Sequence, residues 1–191
     1  MRLFLILIIA LNLQSCAAPI LGGVGAIAFS SSAQEKGLGT SINDKVIYVK
    51  LRNNIYDWDP SVSEKISISV DDGSILVTGQ LKSFDTKIEL TKIIWEINGV
   101  KEVNNKVQIT QTNNIKNIAK DLASLGEIRA KLMASKQLNS LNFSIDVVNN
   151  VAYISGIASN EEEIAIVSKI AQEARFIKEV QNFVKVNKDK R

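Results

Sequence analysis

The sequence predicts an α/β protein of the α+β kind. Two tandem copies of an α-β-β-α-β two-layer sandwich follow a secretion signal and a tether. Three observations carry this expectation. The chain repeats itself at an offset of 77 residues. Short segments alternate apolar and polar residues around tight turns, as half-buried strands do. The segments between them carry apolar residues at helical spacing.

The repeat is clearest where Val100-Lys101-Glu102-Val103-Asn104-Asn105-Lys106-Val107 meets Ile177-Lys178-Glu179-Val180-Gln181-Asn182-Phe183-Val184. The same offset pairs Arg52 with Arg129, Ile68 with Ile145, Val70 with Val147, Gly79 with Gly156 and Glu96 with Glu173. Residues 47–110 share 14 identities with their counterparts over 64 ungapped positions, roughly three times the chance level for this composition. Apolar character persists where identity fails, as at Ile66 against Phe143.

Each copy opens on a helix, marked by Val46, Ile47, Val49, Leu51 and Ile55 in the first and by Leu125, Ile128, Leu132 and Met133 in the second. A strand follows, Ile66 to Val70 or Phe143 to Val147. Asp71-Asp72-Gly73 and Asn149-Asn150 then supply residues that tolerate positive φ and suit a hairpin turn. The return strand runs Ile75 to Gly79, or Val151 to Gly156. A second helix carries Leu90, Ile93, Ile94 and Ile97, or Ile164, Val167, Ile170, Ala171 and Ala174. Glu161, Glu162 and Glu163 favour its start in copy two through the helix dipole, and Asn98-Gly99 stops it in copy one. A last strand spans Val103 to Ile109, or Val180 to Val186. Two helices with apolar stripes need a sheet face to cover, hence the two-layer sandwich. These elements place the domains at 45–110 and 121–187, with a connection over 111–120 and a short basic tail at 188–191.

Composition narrows the function. The 191 residues hold 23 Lys and Arg against 20 Asp and Glu, a balance too even for nucleic acid as the main partner. At 46% hydrophobic residues the chain has material for real cores. It has no His, which removes the commonest general base and neutral metal ligand. One Cys permits neither an intrachain disulfide nor a cysteine zinc cage. No nucleophile–base constellation is present, no cofactor is expected, and an enzyme is disfavoured.

The single cysteine has a different use. Met1-Arg2 is a positive start and Leu3 to Leu11 an apolar run too short to span a bilayer. Leu13-Gln14-Ser15-Cys16 follows and resembles a bacterial lipobox. The resemblance implies a signal peptide at 1–15, cleavage before Cys16, and acyl chains on its thiol and freed amine. Several acyl chains would hold the protein on a membrane, each buried methylene contributing roughly 0.8 kcal/mol. A membrane helix continuing through Ala17 to Phe29 is the alternative. Asn12, Gln14 and Ser15 in mid-span, then Pro19 and three glycines, weaken it. By the sorting rule of such lipoproteins, Ala17 after the cysteine points to the outer membrane, facing the periplasm. Residues 16–44 read as anchor and tether, rich in Ser, Gly, Gln and Lys from Ser30 on.

The stretches Val70 to Gly79 and Asn98 to Asn105 resemble the BON domain, an α-β-β-α-β unit of bacterial envelope proteins. The second copy departs at Asn150 and Phe176, where the first has Gly73 and Gly99. Lipobox plus two such units is most similar to the dual-BON-domain outer-membrane lipoproteins. That resemblance implies phospholipid binding and a role in envelope integrity. It also implies that the second domain meets anionic lipid through its first helix.

This helix, expected over about Asn117 to Leu138, carries Lys116, Lys120, Arg129, Lys131 and Lys136 against Asp121 and Glu127. Basic amphipathic helices lie on anionic surfaces. The candidate phospholipid contacts are Lys120, Leu122, Leu125, Arg129, Lys131, Met133 and Lys136. The plainer reading makes the apolar residues core and the lysines a solvated face, because amphipathic helices normally cover cores. The resemblance also implies an aromatic anchor, which family members often carry on this helix; this helix has none. Trp58 and Trp95 read as packing residues, and Asp57, Asp59, Asp71 and Asp72 as turn residues without the ligand spacing of a calcium loop. The competing role is a protein-interaction scaffold docking on an envelope assembly machine.

Overall fold

A computed structural model describes residues 38–111 and 115–187, which lie within one unit spanning Ser31–Arg191. The signal segment, Cys16, most of the tether and the basic tail fall outside the described residues.

Helix α1, Leu38–Trp58, starts inside the stretch expected as tether. Ser41 and Asp44 are buried on it, so its first turns belong to the domain. Ile47, Leu51 and Ile55 face the sheet, whereas Val46 and Val49, expected on the same stripe, point outward. Four-residue steps track one side of a helix closely, and the sheet takes the Ile47–Leu51–Ile55 row. The helix ends before Asp59-Pro60, because the residue preceding proline avoids the helical region. Asp59 then caps the single turn α2, Pro60–Ser63, accepting from the Ser61 amide at 2.8 Å.

Strands β1, Ile66–Asp71, and β2, Ser74–Leu81, form a hairpin. Its loop residues Asp72 and Gly73 have φ of 50° and 73°, as a type I′ turn requires. Helix α3, Phe84–Trp95, is capped by Ser83, whose hydroxyl accepts from the Asp85 amide. The chain returns parallel to β2 in two pieces, β3 at Glu102–Asn105 and β4 at Gln108–Ile109. The single strand expected here is interrupted at Lys106-Val107, where Val107 turns into the core.

The second copy repeats this order: α4, Ile115–Ala134; a 3-10 turn, Ser140–Asn142; β5, Phe143–Val148; β6, Val151–Ala158; α5, Glu161–Gln172; β7, Glu179–Val186. Helix α4 starts at Ile115, so residues 115–120 of the expected 111–120 connection are helix. It stops at Ala134, leaving Lys136 beyond its end. Asn160 caps α5 by accepting from the Glu163 amide, and the Glu163 carboxylate accepts from the amide of Ser159, the residue before the cap.

Register shows how faithful the repeat is. Ile66 pairs Gly79 and Phe143 pairs Gly156; Ser74 pairs Glu102 and Val151 pairs Glu179. Each pairing maps onto the other by 77. Both glycines are fixed by crowding. A Cβ on Gly79 would stand 2.2 Å from the Lys65 carbonyl oxygen, and one on Gly156 2.0 Å from that of Asn142.

Each sheet buries one face under its own two helices, in separate cores around Leu51 and Leu90 or Ile128 and Val167. The helix-free faces meet each other through Leu76, Tyr153 and Val148. At this interface the Ser155 hydroxyl donates to Ser69 at 2.7 Å and the Thr78 hydroxyl donates to Asp146. The offset converts Ser69 into Asp146 and Thr78 into Ser155, so the two bonds are mates under a pseudo-two-fold. Lys106 sits 5.3 Å from the ring centroid of its own counterpart, Phe183. Lys185 pairs Glu102 at 2.6 Å, holding that carboxyl down at about 2 with help from Asn104 and Ser74. The layers are therefore helices, sheet, sheet, helices, with α1 and α4 on opposite outer sides.

Candidate lipid-binding surface

Helix α4 is held to its domain by two devices. Ile128 and Leu132 enter the core. Asp121, also buried, accepts from the turn amides of Asn149 and Asn150 at 2.8 Å each. Asp44 does the same for Asp72 and Gly73 at 2.9 Å. The two aspartates are separated by 77 residues, so this clamp belongs to the repeat. It locks each first helix to its hairpin, and it satisfies two turn amides that would otherwise be costly to bury.

The candidate residues fall into two groups on opposite flanks of the core-facing row. On one flank Ile118, Leu122, Leu125, Arg129 and Met133 stack at three- and four-residue steps. They line clefts between the domains. Leu122 and Leu125 border a space of about 430 Å³ with Lys65 and Gln80. Arg129 and Met133 border one of about 400 Å³ with Ser67 and Ser69. Leu125 packs partly against the core, whereas Leu122 and Met133 stay 64% and 78% exposed. Arg129 donates to the Ile145 carbonyl, as Arg52 does to Ser63, so much of its role is structural.

On the other flank stand Lys116, Lys120, Glu127 and Lys131. Here Phe176, noted in the sequence only as a departure from the first copy's glycine, enters the site. Phe176, in the turn between α5 and β7, is exposed and has φ of 64°. Its counterpart is Gly99, at φ 99°, so the turn keeps its left-handed backbone and carries a ring there. Lys120 lies 5.6 Å from the centre of that ring, a cation–π distance. The turn is tied to α4: Arg175 donates from its backbone and its guanidinium to Glu127, and Ser124 donates to the Arg175 carbonyl. Arg175 first, and then Lys131 at 3.0 Å, hold the Glu127 carboxyl down at about 2. The replacement of Gly99 by Phe176 was the available signal. Only the fold shows that the ring lands beside Lys120.

Lys120, Lys131 and Arg175, with Glu127 paired to the last two, and the exposed Phe176 ring therefore form one surface of net positive charge. Leu122, Leu125, Arg129 and Met133 form the cleft-facing row. Lys136 joins neither helical row. Among the described residues no group of three acidic, Cys or His side chains could hold a metal, and no helix is long and apolar enough to cross a membrane.

The BON domain model matches residues 43–111 and 125–188, well over half of the chain and both sandwiches. The chain belongs to the BON-domain family. This BON-domain protein is 24% identical over 181 residues to the outer membrane lipoprotein DolP of Haemophilus influenzae, covering 93% of each chain. It is 25% identical over 150 residues to the osmotically-inducible protein Y of Escherichia coli, covering 78% of this chain and 75% of that one. An uncharacterized protein from the gshII 5′ region of Anaplasma centrale is 28% identical over 150 residues, 78% of this chain and 98% of its own. Among solved structures, CdsD, a structural protein of the type III secretion system of Chlamydia trachomatis, aligns with TM-score 0.30 and 19% identity. That alignment covers 75% of this chain and 63% of the CdsD chain.

Proposed function

We propose that this BON-domain protein is a lipid-anchored envelope protein, held by Cys16 in the outer membrane and facing the periplasm. It adheres to anionic phospholipid and supports envelope integrity, without catalysis or a cofactor. The observation that carries the adhesion is the cationic surface of α4, where Lys120 stands over the exposed Phe176 ring and Lys131 and Arg175 flank Glu127 beside it. Cations near an anionic surface each contribute on the order of 1 kcal/mol, and an aromatic ring suits the headgroup level. Leu122 and Met133 extend the contact along the cleft-facing side. The likeness to an outer membrane lipoprotein over nearly the whole chain supports the anchor and the compartment.

Vesicle flotation tests the adhesion apart from the anchor. A fragment beginning at Ala17 floats with vesicles rich in phosphatidylglycerol and not with phosphatidylcholine alone. Lys120→Glu combined with Phe176→Ser abolishes flotation. Equal flotation with both vesicle types, or none with either, removes the lipid reading.

A further inference from the structure

We infer that the outer edge of β1 is a docking site for an extended segment of a partner protein, which adds to the first sheet as a further strand. β1 is an edge strand, with β2 on one side only. The phase of its ladder is fixed at both ends. The Gln80 amide donates to the Lys65 carbonyl at 3.3 Å, and the two-residue turn closes on Asp71 and Ser74. Lys65, Ser67, Ser69 and Asp71 therefore bond to β2, and the main-chain groups of Ile66 and Ile68 point away from it.

The repeat shows that this edge is left open. In the second copy the Arg129 guanidinium donates to the Ile145 carbonyl, an outward carbonyl of β5. The mates under the offset are Arg52 and Ile68, but Arg52 donates to the Ser63 carbonyl at 2.9 Å instead. Among the described residues no side chain donates to the Ile68 carbonyl. Nor does Ile66-Ser67-Ile68-Ser69-Val70 carry the charge or the proline that blunts an exposed edge.

The clefts between the domains run along this edge. The space of about 430 Å³ is bordered by Lys65, Ile66 and Ser67, and that of about 400 Å³ by Ser67, Ile68 and Ser69. Leu122 and Leu125 line the first and Met133 the second, giving alternate side chains of an added strand an apolar wall.

Hydrogen bonding selects the occupant. Outward N–H and C=O groups recur at every second residue, about 6.7 Å apart. A polypeptide strand offers partners at that pitch, and an acyl chain offers none. Charge agrees. Glu64, Asp121 and Asp146 border the two spaces against Lys65 and Arg129, so the groove has no positive excess for an anionic headgroup. It suits a strand with neutral or basic side chains. The pairing does not depend on the lipid reading.

The test uses the full chain in a neutral detergent and a fluorescent heptapeptide of alternating valine and threonine that ends in lysine. A twin peptide is methylated on two adjacent central nitrogens, which blocks both of its edges. The parent peptide is expected to bind saturably and the twin about tenfold more weakly or less. Binding should slow hydrogen exchange at the Ile68 amide. Ile68→Pro removes that outward donor at an edge position that proline tolerates, and should lose binding; Ile68→Ala should keep it. Circular dichroism checks that both variants fold, and if Ile68→Pro does not, the twin peptide and the exchange rates decide alone. Equal binding of both peptides, or of neither, overturns the inference. So does protection at a different edge strand, a loss with Ile68→Ala as large as with proline, or a peptide-free particle of doubled mass whose own Ile68 amide is protected.

Discussion

Replacing Asp121 by Ala removes the acceptor for two turn amides at once. Both bonds are 2.8 Å long and the carboxylate is buried, so they are short and charge-assisted. A hydrogen bond to a charged group contributes about 1.5–3 kcal/mol. Water can reach part of the vacated space, which sets the expected loss near the lower sum, about 3 kcal/mol. Asp121→Asn keeps one acceptor oxygen, and the expected loss is about half of that. In the first copy, Asp44→Ala should cost a similar amount. Lys101→Ala, which removes the exposed 2.8 Å pair with Asp72 and leaves the turn's backbone alone, should cost under about 1 kcal/mol. Urea unfolding followed by circular dichroism reads all four, provided the slope with denaturant is unchanged. If Asp121→Ala costs under 1 kcal/mol, or if Asn is as damaging as Ala, the clamp does not hold the helix to the hairpin as argued.

Three further outcomes follow from the same geometry. Gly156→Ala and Gly79→Ala should each destabilise by at least about 2 kcal/mol, because the new methyl meets a backbone oxygen at a positive φ; thermal unfolding measures it. Phe176→Gly should stabilise by about 1 kcal/mol by relieving a left-handed non-glycine residue, while weakening flotation with anionic vesicles; a variant that binds as well as the parent contradicts the role of the ring. The Glu127 carboxyl should titrate at about 2, below the usual 4.5, in NMR. Since its folded value is depressed, the stability it brings is full above about pH 4.5 and fades as pH falls through about 2. Titration near 4.5 would mean that the Arg175 turn is not docked on α4 in solution.

Periodicity made most of the fold legible. The hairpins, α5 and the two cores follow from alternation and helical spacing that one sheet face satisfies. The ends of elements were less legible because they depend on tertiary contacts. The start of α1 at Leu38 reflects burial of Ser41 and Asp44, polar residues that read as tether until the turn they clamp is in view. Val46 and Val49 misled for a related reason: a helix apolar on two sides gives no hint of which side the sheet takes. The site was legible in part. Lys120 and Lys131 fall on one flank of α4. Leu122, Leu125, Arg129 and Met133 belong to another, because the two rows straddle the core-facing side of the helix. Phe176 lies 56 residues from Lys120 in the chain, and no local pattern places it there.

Mass spectrometry of the mature N-terminus, on protein taken from native membranes, tests the anchored-adhesion account most directly. The account predicts a first residue Cys16 carrying a diacylglycerol thioether and an acylated amine. An unmodified thiol, or a chain that still begins at Met1, would contradict it.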